Sequence, residues 1–212
     1  MAPTGTPLER IGVEGIDVDI LDIALRMYGE LLFQHNKGAN LIGPLGMSQI
    51  YEELLLDALL PAAVARPEGP VMDVGSGAGL PGIPLALAFP DVAFHLVEPR
   101  LKRTTFLSIA CRRLQLGPDR VKVHRCRVEE VEALKPGEVG TMTAKAFAPP
   151  VELVALAATW VRPGGLLYLH LSELTWSDEV KAAAVAAGFA VLGEAVHPTM
   201  AGRLGVALRR AG

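Results

Sequence analysis

The sequence predicts a doubly wound α/β fold: a seven-stranded, mostly parallel sheet with helices on both faces, preceded by an N-terminal helical extension. Three observations predict it. From residue 70 onward, short apolar runs alternate with longer helical patterns, as in a parallel sheet covered on both sides. The first of these runs ends on an acid and three alternate glycines, Asp73-Val-Gly75-Ser-Gly77-Ala-Gly79. The last two apolar runs are joined only by His197–Gly202, too short for a crossover helix, so they are expected to form an antiparallel hairpin at one end of the sheet.

In chain order, the strands are expected at 70–74, 93–98, 121–125, 141–146, 165–170, 189–196 and 203–209, with helices at about 81–89, 100–116, 128–134, 150–161 and 177–187. Pro81 falls where a first helical turn tolerates a missing N–H, and Gly117 and Gly188 follow helical patterns as stops. Residues 1–66 differ in kind. An amphipathic helix at about 17–34 carries Leu21, Leu25, Tyr28 and Leu32 on one face, His35–Gly46 reads as a loop, and a second helix follows at about 47–65. The expected division is therefore 1–66 as a helical extension, on the substrate side or as a lid, and 67–212 as the sheet domain.

Half of the 212 residues are apolar, enough for one sizeable core. Cys111 and Cys126 have no partner at zinc spacing, which predicts reduced thiols and no metal. No stretch of about 18 apolar residues and no basic-then-apolar leader is present, so a soluble, cytoplasmic monomer is expected. Charge is unevenly spread: residues 1–60 carry nine acidic and three basic side chains, whereas 100–127 carry nine basic ones and only Asp119. This implies either a phosphate-holding basic rim or the solvated ends of helices and strands.

The glycine segment carries the chemistry. Glycines let a backbone turn tightly and approach a ligand, and a helix starting at Pro81 would point its free N–H groups into the same crevice. Asp73 suits an ammonium and would repel a pyrophosphate, which favours S-adenosylmethionine over a dinucleotide. The dinucleotide fingerprint beginning at Gly75 would need glycine at position 80, where Leu80 stands, and no Gly-Lys-Ser/Thr follows for a phosphate loop. Glu98, ending the second strand 25 residues after Asp73, can accept hydrogen bonds from both ribose hydroxyls. The segment Arg127-Val128-Glu129 falls where an adenine ring would lie. The expected cofactor contacts are thus Asp73, Gly75, Ser76, Gly77, Gly79, Leu80, Glu98, Arg127, Val128 and Glu129.

The run Asp73-Val-Gly-Ser-Gly-Ala-Gly-Leu-Pro-Gly-Ile-Pro-Leu85 closely resembles the motif of the RsmG (glucose-inhibited division protein B) family, which methylates N7 of a guanine in the 530 loop of bacterial 16S ribosomal RNA. The likeness continues in Glu98 with Lys102-Arg103-Thr-Thr-Phe106-Leu107, in Arg127-Val-Glu129, in Lys145-Ala-Phe-Ala-Pro149 and in Pro163-Gly164-Gly165. Upstream, Asn36-Lys-Gly-Ala-Asn40-Leu41 is similar to the family's Trp-Asn-x-x-x-Asn-Leu loop, and Asp57-Ala-Leu59 to its Asp-Ser-Leu. Four positions depart from the pattern: His35 for Trp, Leu54 for His, Lys145 for Arg and His170 for Lys.

The resemblance implies a class I S-adenosylmethionine-dependent methyltransferase acting on 16S ribosomal RNA or the small ribosomal subunit. It brings basic groups to Arg127, Lys145 and Arg203, expected to contact substrate or the methionine carboxylate, with Lys145 and Arg203 as the catalytic residues and Lys145 also on the cofactor side. Asn36, Lys37, Asn40, Lys102, Arg103 and His170 are expected to touch substrate; Asn36 and Asn40 have loop-shaping as their alternative. Guanine N7 already carries a lone pair, so positioning replaces a general base, and His170 is the only histidine expected near the pocket rim. A divergent paralogue acting on another RNA or a small molecule, or a non-catalytic binder, are the rival readings. Methylation mapping of ribosomal RNA from a strain lacking the gene separates them.

Overall fold

A computed structural model describes residues 4–212; Met1–Pro3, part of the stretch read above as carrying no export signal, lie outside the described residues. The extension opens with α1 (Pro7–Ile11), which the apolar periodicity did not suggest. Thr6 caps it by accepting from the Glu9 N–H while the Glu9 side chain reaches back to the Thr6 N–H, a capping box written in Thr6-Pro-Leu-Glu9. Next, α2 (Val18–Ala39) runs past its expected end at 34, so His35–Gly38 are helix rather than loop. Its stop is Asn40, left-handed at φ 47°, whose N–H bonds to the Asn36 carbonyl.

The expected helix at 47–65 is broken into α3 (Met47–Gln49), a π-helical turn (Ile50–Leu56), a 3₁₀ turn (Asp57–Leu59) and α4 (Leu60–Val64). Pro61 explains the tightening: it has no N–H to offer the Asp57 carbonyl, and Leu60 supplies a shorter-range bond instead.

All seven expected strands form: β1 (Val71–Val74), β2 (Phe94–Val97), β3 (Val121–His124), β4 (Val139–Ala144), β5 (Val161–Ser172), β6 (Phe189–Val196) and β7 (Arg203–Arg210). Their order is β3-β2-β1-β4-β5-β7-β6. The first five are parallel, and β7 runs antiparallel to both β5 and β6, giving the expected hairpin at the sheet's end. Every residue of β1, β2 and β4 is buried, as central parallel strands covered on both faces require. The chain leaves β1 toward β2 on one side and finds β4 on the other, which opens a crevice at the strands' carboxyl ends.

The covering helices are α5 (Gly82–Ala88), α6 (Leu101–Arg113), α7 (Pro150–Trp160) and α8 (Asp178–Ala186). The helix expected at 128–134 is only a 3₁₀ turn, Val128–Glu130. Val128, Val131 and Leu134 are buried loop anchors whose spacing imitated a helical period in too short a segment. One core cluster joins Leu25, Tyr28 and Leu32 of the extension to Leu85, Phe94 and Leu107 on one sheet face. The second packs Leu153, Trp160 and Val180 against Met142 and Leu167 on the other. The extension therefore shares its core with the sheet.

Candidate cofactor and substrate site

At the end of β1, Gly75, Gly77 and Gly79 all take positive φ, at 67°, 58° and 91°, which side chains rarely tolerate. Ser76 fixes the turn: its N–H bonds to the Val97 carbonyl on β2 and its hydroxyl to the Asp73 carbonyl. Beneath it the Tyr28 hydroxyl donates to the Ala78 carbonyl, so α2 supports the turn directly. Leu80 closes it through its N–H to the Ser76 carbonyl, at 3.1 Å.

Asp73 is fully buried. Its Oδ2 accepts from the Gly82 N–H at 3.1 Å, so the first N–H of α5 serves the acid rather than the open crevice. Its Oδ1 has no hydrogen-bond partner among the described residues. Burial pushes this carboxyl up to about 7, the Ser76 and Gly82 hydrogen bonds oppose the rise, and the Glu98 charge adds to it. Glu98, 3% exposed, joins the strand ends: Oε2 accepts from the Gly77 N–H at 3.0 Å and Oε1 from the Arg100 N–H at 2.9 Å. Arg103 lies 3.6 Å from the same Oε2, and its guanidinium would meet a Cβ on Gly77 at 3.3 Å. Arg103 thus stands over the glycine turn.

The turn's opposite wall is the segment leaving β4. Thr143 pairs in register with Asp73. Beyond it, Ala146 is left-handed at φ 53°, and the half-exposed Phe147 ring presses on Gly75 so closely that a Cβ there would lie 2.5 Å from Cδ2. At the β3 edge, Val128 is buried in the core while Arg127 and Glu129 are exposed. The Arg127 N–H donates to the Glu130 carboxylate at 2.9 Å.

Lys145, Arg203 and His170 converge on one residue of the extension, Asp57. Lys145 Nζ is 2.5 Å from Asp57 Oδ2 and Arg203 is 3.9 Å from Oδ1, while the carboxylate itself is almost wholly buried. His170 Nδ1 sits 3.2 Å from the Asp57 carbonyl and its Nε2 3.3 Å from Thr143 Oγ1. Burial pushes this imidazole down to about 4, with the Asp57 charge opposing and Lys145 assisting. His170, partly exposed, is thus held between the Asp57 carbonyl and the Thr143 hydroxyl. Asp57 and Phe147 both lie in motifs that resemble the family's, yet their roles are not legible locally because their partners come from other elements; Tyr28 looks like ordinary core in the sequence.

The expected substrate residues of the extension divide. Asn36 shapes the loop after α2, accepting from the Ile42 N–H at 2.9 Å and donating to the Gly43 carbonyl. Asn40 is the left-handed helix stop, and Lys37 is exposed. With Phe33, Ile42 and Pro44, these three line a cavity of about 450 Å³. The basic stretch does not form one rim. Arg100, Lys102 and Arg103 begin α6 beside the glycine turn, whereas Arg112 and Arg113 end it, about 15 Å away at 1.5 Å per residue. Arg120 donates to the Ala86 carbonyl instead. A cavity of about 580 Å³ lies at that far end between α6 and the start of β3.

A doubly wound sheet whose first strand ends on an acid and a glycine turn, with an antiparallel seventh strand between β5 and β6, is the Rossmann-like methyltransferase fold. Solved structures share it. Ribosomal protein L11 methylase from Lactobacillus delbrueckii subsp. bulgaricus superposes with a TM-score of 0.58 at 14% identity, over 76% of this chain and 79% of that one. Fibrillarin from Aeropyrum pernix, solved with natively bound S-adenosyl-L-methionine, gives 0.54 at 16% identity, over 73% and 72%.

Residues 22–193 match the family described as GidB, rRNA small subunit methyltransferase G, and the chain belongs to that family. Over 160 residues it is 43% identical to the ribosomal RNA small subunit methyltransferase G of Streptomyces avermitilis, covering 75% of this chain and 65% of that protein. The chain thus spans slightly less than two thirds of that relative's length.

Proposed function

We propose that this chain transfers the methyl group of S-adenosylmethionine to N7 of a guanine in 16S ribosomal RNA of the small subunit, acting in the cytoplasm. The observation that carries the reading is Asp73: a buried carboxylate with one oxygen unpartnered, beside a glycine turn that Glu98 ties to the next strand. The orphaned Oδ1 fits an ammonium, and Glu98 fits vicinal hydroxyls because each of its oxygens keeps a second lone pair. When bound, the cofactor supplies a methyl group on a positively charged sulfur.

This chain's residues then have five tasks. Asp73 and the turn from Gly75 to Leu80 hold the amino-acid end. Glu98 holds the ribose, and Val128 with the flanking Arg127 and Glu129 backbone bounds the adenine. Phe147 walls the pocket on the β4 side, and Arg103 and Lys102 stand at its mouth where RNA phosphates approach. No side chain needs to remove a proton, since the N7 lone pair forms the new N–C bond as the C–S bond breaks; orientation is the protein's contribution.

The test is transfer of labelled methyl from S-adenosylmethionine to small subunits taken from cells lacking this activity, followed by mass mapping of the RNA. N7-methylguanine at one site is expected. Label on another base, or none, refutes the reading.

A further inference from the structure

We propose that Asp57 is a positioning residue of the cofactor pocket, acting through Lys145 on Phe147. Asp57 belongs to the extension, yet both ends of the residue grip the same strand end of the sheet. Its carboxylate forms a close ion pair with Lys145, the first residue beyond β4, Oδ2 lying 2.5 Å from Nζ without hydrogen-bond geometry. Its carbonyl faces His170, whose other ring nitrogen faces Thr143, and Thr143 is the register partner of Asp73.

One residue past Lys145 the backbone turns left-handed at Ala146, a conformation a residue with a Cβ keeps only where its surroundings fix it. Two residues past, Phe147 lies on Gly75. Downstream the segment is stiffened by Pro149 and by Pro150 at the start of α7. The Asp57–Lys145 pair is thus the upstream anchor of the wall that Phe147 forms, and without it the ring loses its defined seat. A buried carboxylate here serves pocket geometry rather than RNA contact.

This inference rests on the reading of the pocket as a cofactor site, and its test separates the two. S-adenosylhomocysteine binding is measured by calorimetry on the intact chain and on Asp57→Asn, Phe147→Ala and the double variant, each checked for folding by thermal melting. Each single change is expected to weaken binding about tenfold. The double variant should bind within about threefold of Phe147→Ala, whereas independent roles would multiply to about a hundredfold loss. Asp57→Glu, which keeps the charge, should recover part of the affinity.

A clamp that only stabilises the fold lowers the melting temperature and leaves the two effects multiplicative. That result overturns the inference. If Asp57→Asn does not fold, Lys145→Gln breaks the same link from the other side and must show the same non-additivity with Phe147→Ala, or the inference fails. Absence of binding by the unaltered chain would overturn the cofactor reading and the inference with it.

Discussion

Replacing Asp73 by Asn should stabilise the protein while impairing cofactor binding, and the size of the gain can be worked from the carboxyl's surroundings. Its pKa is raised from 3.8 to about 7, first by burial. The folded state therefore binds this proton more tightly than the unfolded chain does. The resulting stabilisation is present in full below about pH 3.8 and is lost as pH rises through about 7. Each pH unit between costs about 1.4 kcal/mol, about 4 kcal/mol in total. Asn keeps an oxygen for the Gly82 N–H but leaves another polar atom without a partner, which removes about 1–2 kcal/mol of the gain. Asp73→Asn should then be about 2–3 kcal/mol more stable at pH 8, and the gap should shrink by about 2 kcal/mol at pH 5.5. Urea unfolding of both proteins at the two pH values measures this. A gap independent of pH would refute the reasoning, because it would mean that Asp73 does not titrate in this interval.

Three further outcomes are expected. Glu98→Gln should weaken S-adenosylhomocysteine binding by about 1–3 kcal/mol, and unchanged affinity by calorimetry in a folded variant would remove Glu98 from the site. With His170 held neutral by a pKa pushed down to about 4, the single-turnover transfer rate at saturation should be flat from about pH 6.5 to 9 and little altered by His170→Gln. KM for the cofactor should meanwhile rise about tenfold per pH unit below about 7 as Asp73 protonates; a tenfold rise in rate across the range that His170→Gln abolishes would exclude N7 as acceptor. Affinity for small-subunit RNA should fall steeply with salt, with Lys102→Ala reducing the logarithmic slope by about 1. Arg120→Ala, which removes the donor to the Ala86 carbonyl, should instead lower stability and leave that slope intact, and filter binding at several salt concentrations distinguishes the two.

The sheet was legible because each strand's signal is local. Val71–Val74 and Phe94–Val97 are short apolar runs bounded by turn residues, and the short link His197–Gly202 by itself forced the antiparallel pair. The glycine turn and its two acids were legible for the same reason, since a strand end followed by alternate glycines leaves few other shapes. The rest depended on contacts between distant segments. Nothing local in Asp57 signals that Lys145 and Arg203 will both close on it, and the apolar period through residues 47–65 concealed the tightening that Pro61 imposes. Val128, Val131 and Leu134 misled in the other direction, being buried at helical spacing in a segment that packs as a turn. The basic residues of 100–127 looked like one patch because sequence proximity hides the length of α6, which carries Arg112 and Arg113 away from the crevice.

The seventh strand has a bearing on how the protein is made. Gly205 approaches α4 so closely that a Cβ would meet that of Leu60 at 2.5 Å, and His197, at the turn before β7, contacts the Glu52 carbonyl. β7 also fills the place between β5 and β6. A nascent chain halted before residue 203 would hold the entire glycine turn and both acids, yet α4 would lack one of the strands it packs against. The packing of α4 on the sheet is thereby completed only once translation has passed β7, and a premature stop before residue 203 should destabilise the protein although it lies far downstream of the glycine turn and both acids.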